Sequence, residues 1–325
     1  MALLVVCAVA GVAWGPVSLP AGAVLAELVD RLPIISIDSG LSERQAAVLW
    51  ELRVPRVALG GLVGAMLATA GAGYQGVFRN PLADPYLLGV AAGAGLGATL
   101  VIAAGLGTGG FLLTMAAFTG GIIAVVAAYA LGRSSGGGAS PATMILAGIA
   151  VASFFTALQS FVQQLASDTV REVFAWILGR LTTSGWSEVR LLTPFVVVSA
   201  GALLLHRRHL DVLAVGEDEA ATLGVETTRV RLIVVVASTL GTAAAVSVSG
   251  LIGFVGIVVP HAIRLAFGSS YRVIIPLSLI AGGAFLIAAD LVARTVVRPA
   301  ELPIGVITAF VGAPFFGTLL RRSRR

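Results

Sequence analysis

The stretch "QGVFRNPLADPYLLG", Gln75–Gly89, sets an arginine, an asparagine, an aspartate and two prolines inside a chain that is 58% hydrophobic. Apolar runs flank it on both sides, so its reading decides the architecture: a surface loop, or an interruption at membrane depth. Proline and glycine free backbone groups for which lipid offers no partner, and such a break must line protein or water. A second break, "SGLIGFVGIVVPH", Ser249–His261, follows an apolar run that points the other way across the membrane. Paired breaks in oppositely directed segments point to an inverted repeat with a pathway between its halves. Proline kinks that serve packing alone are the alternative.

With 325 residues, a mean hydropathy of +1.00 and only 11% charged residues, the chain has more apolar surface than one globular core can hide. That composition describes an all-α polytopic membrane protein. All 21 basic residues are arginine, and a net charge of +5 is what basic inner loops contribute, so it is no sign of nucleic acid. One cysteine, Cys7, excludes an intramolecular disulfide, and no cluster of metal ligands accompanies it. His206, His209 and His261 read as interfacial or packing residues.

A spanning helix needs about 20 mostly apolar residues. Runs of that kind lie near 2–20, 54–74, 86–106, 111–132, 142–165, 189–206, 230–249, 273–293 and 303–320, with a weaker tenth near 252–267. The run from Met1 reads as a first span rather than a cleaved signal. With the amino terminus inside, twelve arginines fall on the inner side, four of them in the tail "RRSRR", and nine on the outer. The expectation is a single transmembrane domain over 1–325, about ten spans, both termini cytoplasmic, and a longest inner loop at 207–229.

That loop contains "LAVGEDEAATLG", Leu213–Gly224. Three acids complement the amino end of a helix, two alanines favour helix and Gly224 is a natural stop, which predicts a short helix outside the bilayer. A Walker A pattern needs a lysine, and the chain has none, so it does not hydrolyse ATP by that mechanism. Asp290, inside the ninth span, is either a buried packing partner or a proton relay. The relay would fit an ion-coupled secondary transporter, the competing reading.

The ordered motifs "LRVPRVALGGLVGAMLATAGAGYQGVFRNPLADPYLLGVAAGAGLG", "ILAGIA", "WILGRL", "LAVGEDEAATLGV", "SGLIGFVGIVVPHAIRL" and "AELPIGVITAFVGAPFF" cover nearly the whole chain. Together they resemble the FecCD family of permeases, the membrane subunits of ABC importers for iron-siderophore, haem and vitamin B12. The resemblance implies a ten-helix fold, a homodimer in the bacterial cell membrane, and two copies of a separate ATPase subunit that bind ATP and magnesium. It also implies a periplasmic or surface-tethered binding protein that delivers a metal chelate, with ferric siderophore the commonest cargo and haem or cobalamin as others. No cofactor is expected on this chain.

Site assignments follow from the same resemblance. Glu217, Asp218, Glu219, Ala220, Ala221 and Gly224 match the coupling helix that docks on the ATPase. Asn80 and Leu82 match the cytoplasmic gate, with Ala142 and Thr143 as its second element. Arg53, Arg56 and Arg294 match positions that receive carboxylates of the binding protein, although arginines at span ends also snorkel to the interface. Arg180 stands where the pattern W-x-x-G-S-L has a small residue, and either faces an anionic chelate or is solvated at the outer surface.

Overall fold

The computed structural model describes residues 1–15, 19–31, 39–134, 141–181, 185–297 and 300–322. In chain order these form α1 (Ala2–Ala13), α2 (Ala21–Asp30), α3 (Glu43–Ala47), a π-helical turn (Val48–Arg53), α4 (Val54–Val77), α5 (Val90–Ala103), α6 (Phe111–Arg133) and α7 (Pro141–Leu165). They continue with a short 3-10 turn, then α8 (Val170–Ile177), α9 (Ser187–Val215), α10 (Glu217–Thr222), α11 (Thr227–Ser249), α12 (Val255–Phe267), α13 (Tyr271–Ala293) and α14 (Ile304–Arg322). No strand occurs among the described residues. Six helices are long and apolar enough to cross a membrane, and four shorter apolar ones are α1, α5, α12 and the apolar part of α14.

Helix α4 is the axis of the molecule. Almost every residue from Val63 to Val77 is buried, and α9, α11, α12 and α13 pack around it. The peripheral α7 instead presents Leu146, Ile149, Phe154, Phe161 and Leu165 outward. Apolar side chains gain nothing by leaving lipid for one another, so close approach of small residues must hold such helices together. Gly71 of α4 meets the backbone of Gly256 in α12 so tightly that a Cβ on either has no room.

The two breaks meet each other. Helix α4 ends in a double hydrogen-bonded turn: the Arg79 N–H donates to Gly76 O and the Asn80 N–H to Gln75 O, at 3.4 and 3.2 Å. Arg79 takes the left-handed conformation, φ +51, that glycine usually occupies at such a stop, and Pro81 follows. Asn80 Oδ1 then accepts the Leu82 N–H at 2.9 Å and Asp84 Oδ1 the Tyr86 N–H at 2.7 Å, two side-chain turns in succession. Gly89, φ +85, opens α5. The other break, between α11 and α12, carries Phe254 in the same left-handed region, φ +69, at the entrance to α12.

Between them, the Tyr86 hydroxyl donates to Ile252 O at 3.0 Å and accepts the Ile252 N–H at 3.2 Å. Gln75 Nε2 donates to Gly256 O at 3.2 Å, and Pro85 lies against Gly256. The Arg180 N–H closes the remaining gap on Ser249 O at 2.7 Å. Each irregular segment therefore supplies partners that lipid cannot supply to the other.

One expected boundary is corrected, and one expected segment gains detail. The first span, expected over 2–20, ends as helix at Ala13, because Trp14 is extended and Gly15 precedes a proline, which disfavours helix. The segment expected as a loop over 207–229 opens with the last turns of α9: "RRHLDVLAV" has neither glycine nor proline, and Leu210 and Leu213 are buried, so the helix continues to Val215 before α10. Helices α2 and α8 were not expected as separate elements.

Replacing Tyr86 with phenylalanine strands a buried N–H and C=O on Ile252. It should cost about 1–3 kcal/mol, read as a lower unfolding temperature in detergent. Gly201→Ala, where nothing lies within 4 Å of a new Cβ, should cost nothing.

Candidate functional site

Three groups of candidate residues are placed by the fold, and the first sits where α4 begins and α13 ends. Arg56 binds two carboxylates at once: Nε and Nη2 reach Asp290 Oδ1 at 3.0 and 2.8 Å, while Nη1 and Nη2 reach the Glu301 carboxylate at 3.1 and 3.0 Å. Asp290, 2% exposed, also faces Arg294, whose Nε lies 3.2 Å from Oδ2 as an ion pair without hydrogen-bond alignment. Arg294 Nη2 donates to Gly11 O, and Arg53 Nη1 donates to Val12 O and Ala13 O at 3.0 and 2.9 Å.

The last carbonyls of a helix lack intrahelical partners and carry partial negative charge. Arg53 and Arg294 supply both the donors and the positive charge that the end of α1 needs. This corrects the expectation of three arginines displayed for a partner. Arg53 and Arg294 are 4% and 2% exposed and turned inward, and only Arg56, with Glu301, reaches the surface. Asp290 is the hub of this network, with both of its oxygens engaged.

At the opposite end, α10 lies between α9 and α11. Ala220 is fully buried against the helices above, while Glu219 and Ala221 are exposed, as is Leu223 just beyond the helix end. The side chains of Glu217 and Asp218 lie outside the described residues. The stop is a Schellman motif: the Gly224 N–H donates to Ala221 O and the Val225 N–H to Ala220 O, at 3.0 and 3.1 Å, with Gly224 at φ +78. The short helix and its glycine stop are those the sequence predicts.

A residue that the sequence reading missed anchors this end. Asp211, in the last turns of α9, accepts the Tyr271 N–H at 2.5 Å and the Ser270 hydroxyl at 2.8 Å, and lies 3.4 Å from Arg272 Nε. It thereby caps the amino end of α13 across 60 residues of chain. No local spacing could reveal it.

The gate candidates occupy the same end. Asn80 is half-buried and committed to its turn, Leu82 is 42% exposed, Ala142 is exposed, and Thr143 is half-buried in the first turn of α7. The α7 residue Gly148 packs on the backbone of Leu87 and Leu88, which ties α7 to the break that follows Asn80 and Leu82. Arg180 sits at the other end, between α8 and α9, where Nη2 donates to Thr108 O at 2.5 Å.

Asp290→Ala leaves Arg56 and Arg294 without their shared partner in a largely buried site. Removing one member of a buried ion network costs about 3–5 kcal/mol, so unfolding in detergent should shift accordingly. In a double-mutant cycle, Asp290→Ala and Arg294→Ala should be strongly non-additive.

Comparison with known proteins places this arrangement. Over 286 residues the chain is 40% identical to the cobalamin import system permease protein BtuC of Halobacterium salinarum, covering 87% of this chain and 75% of that one. It is 37% identical over 278 residues to the iron(3+)-hydroxamate import system permease protein FhuB of Bacillus subtilis, covering 86% and 72%. A solved inward-facing structure assigned to the metal-chelate type of ABC transporter superposes with a TM-score of 0.85 at 30% identity, over 99% of this chain and 97% of that one. The model of the FecCD transport family matches residues 3–322, through all the helices described above, and the chain belongs to that family.

Proposed function

We propose that this chain is the membrane-spanning permease of an ATP-driven importer that carries a metal chelate inward by alternating access. The observation that carries the reading is α10: a short helix outside the long apolar ones, closed by its own glycine stop and seated on the bundle through Ala220, with Glu219, Ala221 and Leu223 turned away from it. Such a helix has no packing duty that would require it to protrude, and it fits a surface that transmits motion from a second protein.

On this reading the α10 end is cytoplasmic, both termini lie inside, and the ten apolar helices all span. Two copies pair as a homodimer, with the pathway between them. Two ATPase subunits, which hold ATP and magnesium, receive Glu217, Asp218, Glu219, Ala221 and Gly224, while Ala220, expected with them, is fully buried and seats the helix on the bundle instead. The inverted repeat is supported by the matching breaks, each opening a short helix, α5 or α12, through a left-handed residue. Asn80, Leu82, Ala142 and Thr143 then form the inner gate.

A soluble binding protein docks at the Arg56 end. Arg56 and Glu301 are its exposed face, and Arg53 and Arg294 support it from behind by holding α1 and α13 in place. The permeases of similar sequence are named for cobalamin and for ferric hydroxamate, and a ferric siderophore is the cargo we favour.

The secondary-transporter reading asks for an intramembrane carboxylate that can exchange protons along a path. Asp290 is instead locked between two guanidiniums, which argues against it.

Vesicles holding the permease with its ATPase should accumulate chelate only with ATP, and should stop with vanadate. Uptake driven by a proton or sodium gradient alone would sink the importer reading. Replacing Glu217, Asp218 and Glu219 together with alanine should weaken ATPase co-purification without lowering the permease's unfolding temperature. Unchanged association and unchanged transport-coupled hydrolysis would mean that the helix is merely solvated. Binding-protein affinity should fall as salt rises, since exposed charges are screened over about 10 Å at 0.1 M; salt-insensitive docking would exclude an arginine-based surface.

A further inference from the structure

Helix α8 has two faces. Val173 and Trp176 are buried, while Arg171, Phe174, Ala175 and Leu178, at the spacing of one helix stripe, line a cleft of about 400 Å³. Arg180 and Leu181, the segment Leu302 to Ile304, and the Arg56–Asp290–Glu301 group complete its lining.

The charges of this cleft separate cleanly. Arg56, with Arg294 behind it, is matched by Asp290 and Glu301 in the network already described, so that part is neutral and internally paired. The other two cations are left over. Arg171 is exposed and has no ion-pair or hydrogen-bond partner among the described residues, and Arg180 spends one donor on a neutral carbonyl, Thr108 O. Glu172, next to Arg171 in sequence, is exposed, is not part of the cleft's lining and forms no ion pair with Arg171 within 4.0 Å. Glu188 shares a small neighbouring cavity with Arg180 but forms no ion pair with it within 4.0 Å. Around the two guanidiniums stand Phe174, Leu178, Pro303 and Ile304, which are apolar.

We propose that this cleft is a reception site for an amphiphilic anion, a chelate with an apolar body and ionised oxygens, with Arg171 and Arg180 setting the preference for negative charge. The proposal rests on the importer reading for its direction, since only there does the cleft face the compartment from which substrate arrives. Guanidinium is suited to the task because its donors lie in one plane and pair with ionised oxygens two at a time. The apolar walls lower the local dielectric and strengthen that pairing. A lipid phosphate presents the same chemistry, and the test separates the two sources.

The experiment uses the full permease–ATPase complex in nanodiscs of zwitterionic lipid, without binding protein. Equilibrium binding is read for two ferric probes of similar size, an anionic tris-catecholate and a neutral tris-hydroxamate. The wild type should bind the tris-catecholate more tightly, and more weakly as salt rises. The double variant Arg171→Gln, Arg180→Gln should lose roughly tenfold in tris-catecholate affinity, equivalent to about 1.4 kcal/mol, with hydroxamate binding held within about twofold as the control for folding. Equal affinity for both probes, or an unchanged double variant, overturns the proposal. So does competition by added phosphatidylglycerol that the double variant abolishes, because the cleft would then be a lipid site. Failure of ATP-driven uptake in vesicles, with selective binding intact, would instead count against the importer reading alone.

Discussion

Lipid cannot satisfy a backbone amide, and the arrangement at the centre of this protein follows from that constraint. Two stretches of irregular backbone enter the bundle, one between α4 and α5 and one between α11 and α12, and each would be untenable alone. Tyr86 resolves this by exchanging both of its hydroxyl's hydrogen bonds with one residue, Ile252. The glycine contact at Gly71 and Gly256 is the steric complement, since it lets α12 lie close enough to α4 for Gln75 to reach the carbonyl of Gly256. The breaks are thus a joint, and the short helices α5 and α12 start from it.

The same constraint acts at helix ends. Helix α1 has only 12 residues, about 18 Å at 1.5 Å per residue, well short of a bilayer core. Its carbonyl end therefore falls against the ends of α4 and α13, where Arg53 and Arg294 reach it. Burying those charges requires compensation, and Asp290 supplies part of it while also fixing Arg56. The span boundary, the ion network and the exposed rim are one problem solved by four side chains.

How much of this was legible in the sequence divides along the range of the interactions. The apolar runs, the two breaks and the α10 helix rest on local signals: hydropathy, proline and glycine, acids followed by alanines and a glycine stop. They emerge in the structure close to where the sequence puts them. What escaped depends on contacts distant in sequence. An arginine at a span end can snorkel, dock a partner or cap another helix, and spacing does not distinguish these. The 41 residues between Arg53 and Val12, and the 283 between Arg294 and Gly11, close only in three dimensions. Asp211 is hidden for the same reason. The stop after α4 was half-legible: "RNP" announces a break, but the left-handed conformation of Arg79 replaces the glycine that would mark it plainly.

The absence of lysine has a physical sense at these buried positions. One planar guanidinium at Arg56 holds two carboxylates through three nitrogens, and one at Arg53 bridges two successive carbonyls. An ammonium is a compact, strongly hydrated point charge that would have to shed more water to serve either role and could not present paired donors in a plane. Exchange to lysine at Arg53, Arg56 or Arg294 would keep the charge and lose the geometry on which the end of α1 depends. At exposed positions such as Arg208 and Arg229 nothing in the structure requires arginine over lysine. The distinction lies in what each guanidinium touches: where it meets carbonyls and carboxylates away from water, its shape holds the helices, and where it meets solvent, only its charge counts.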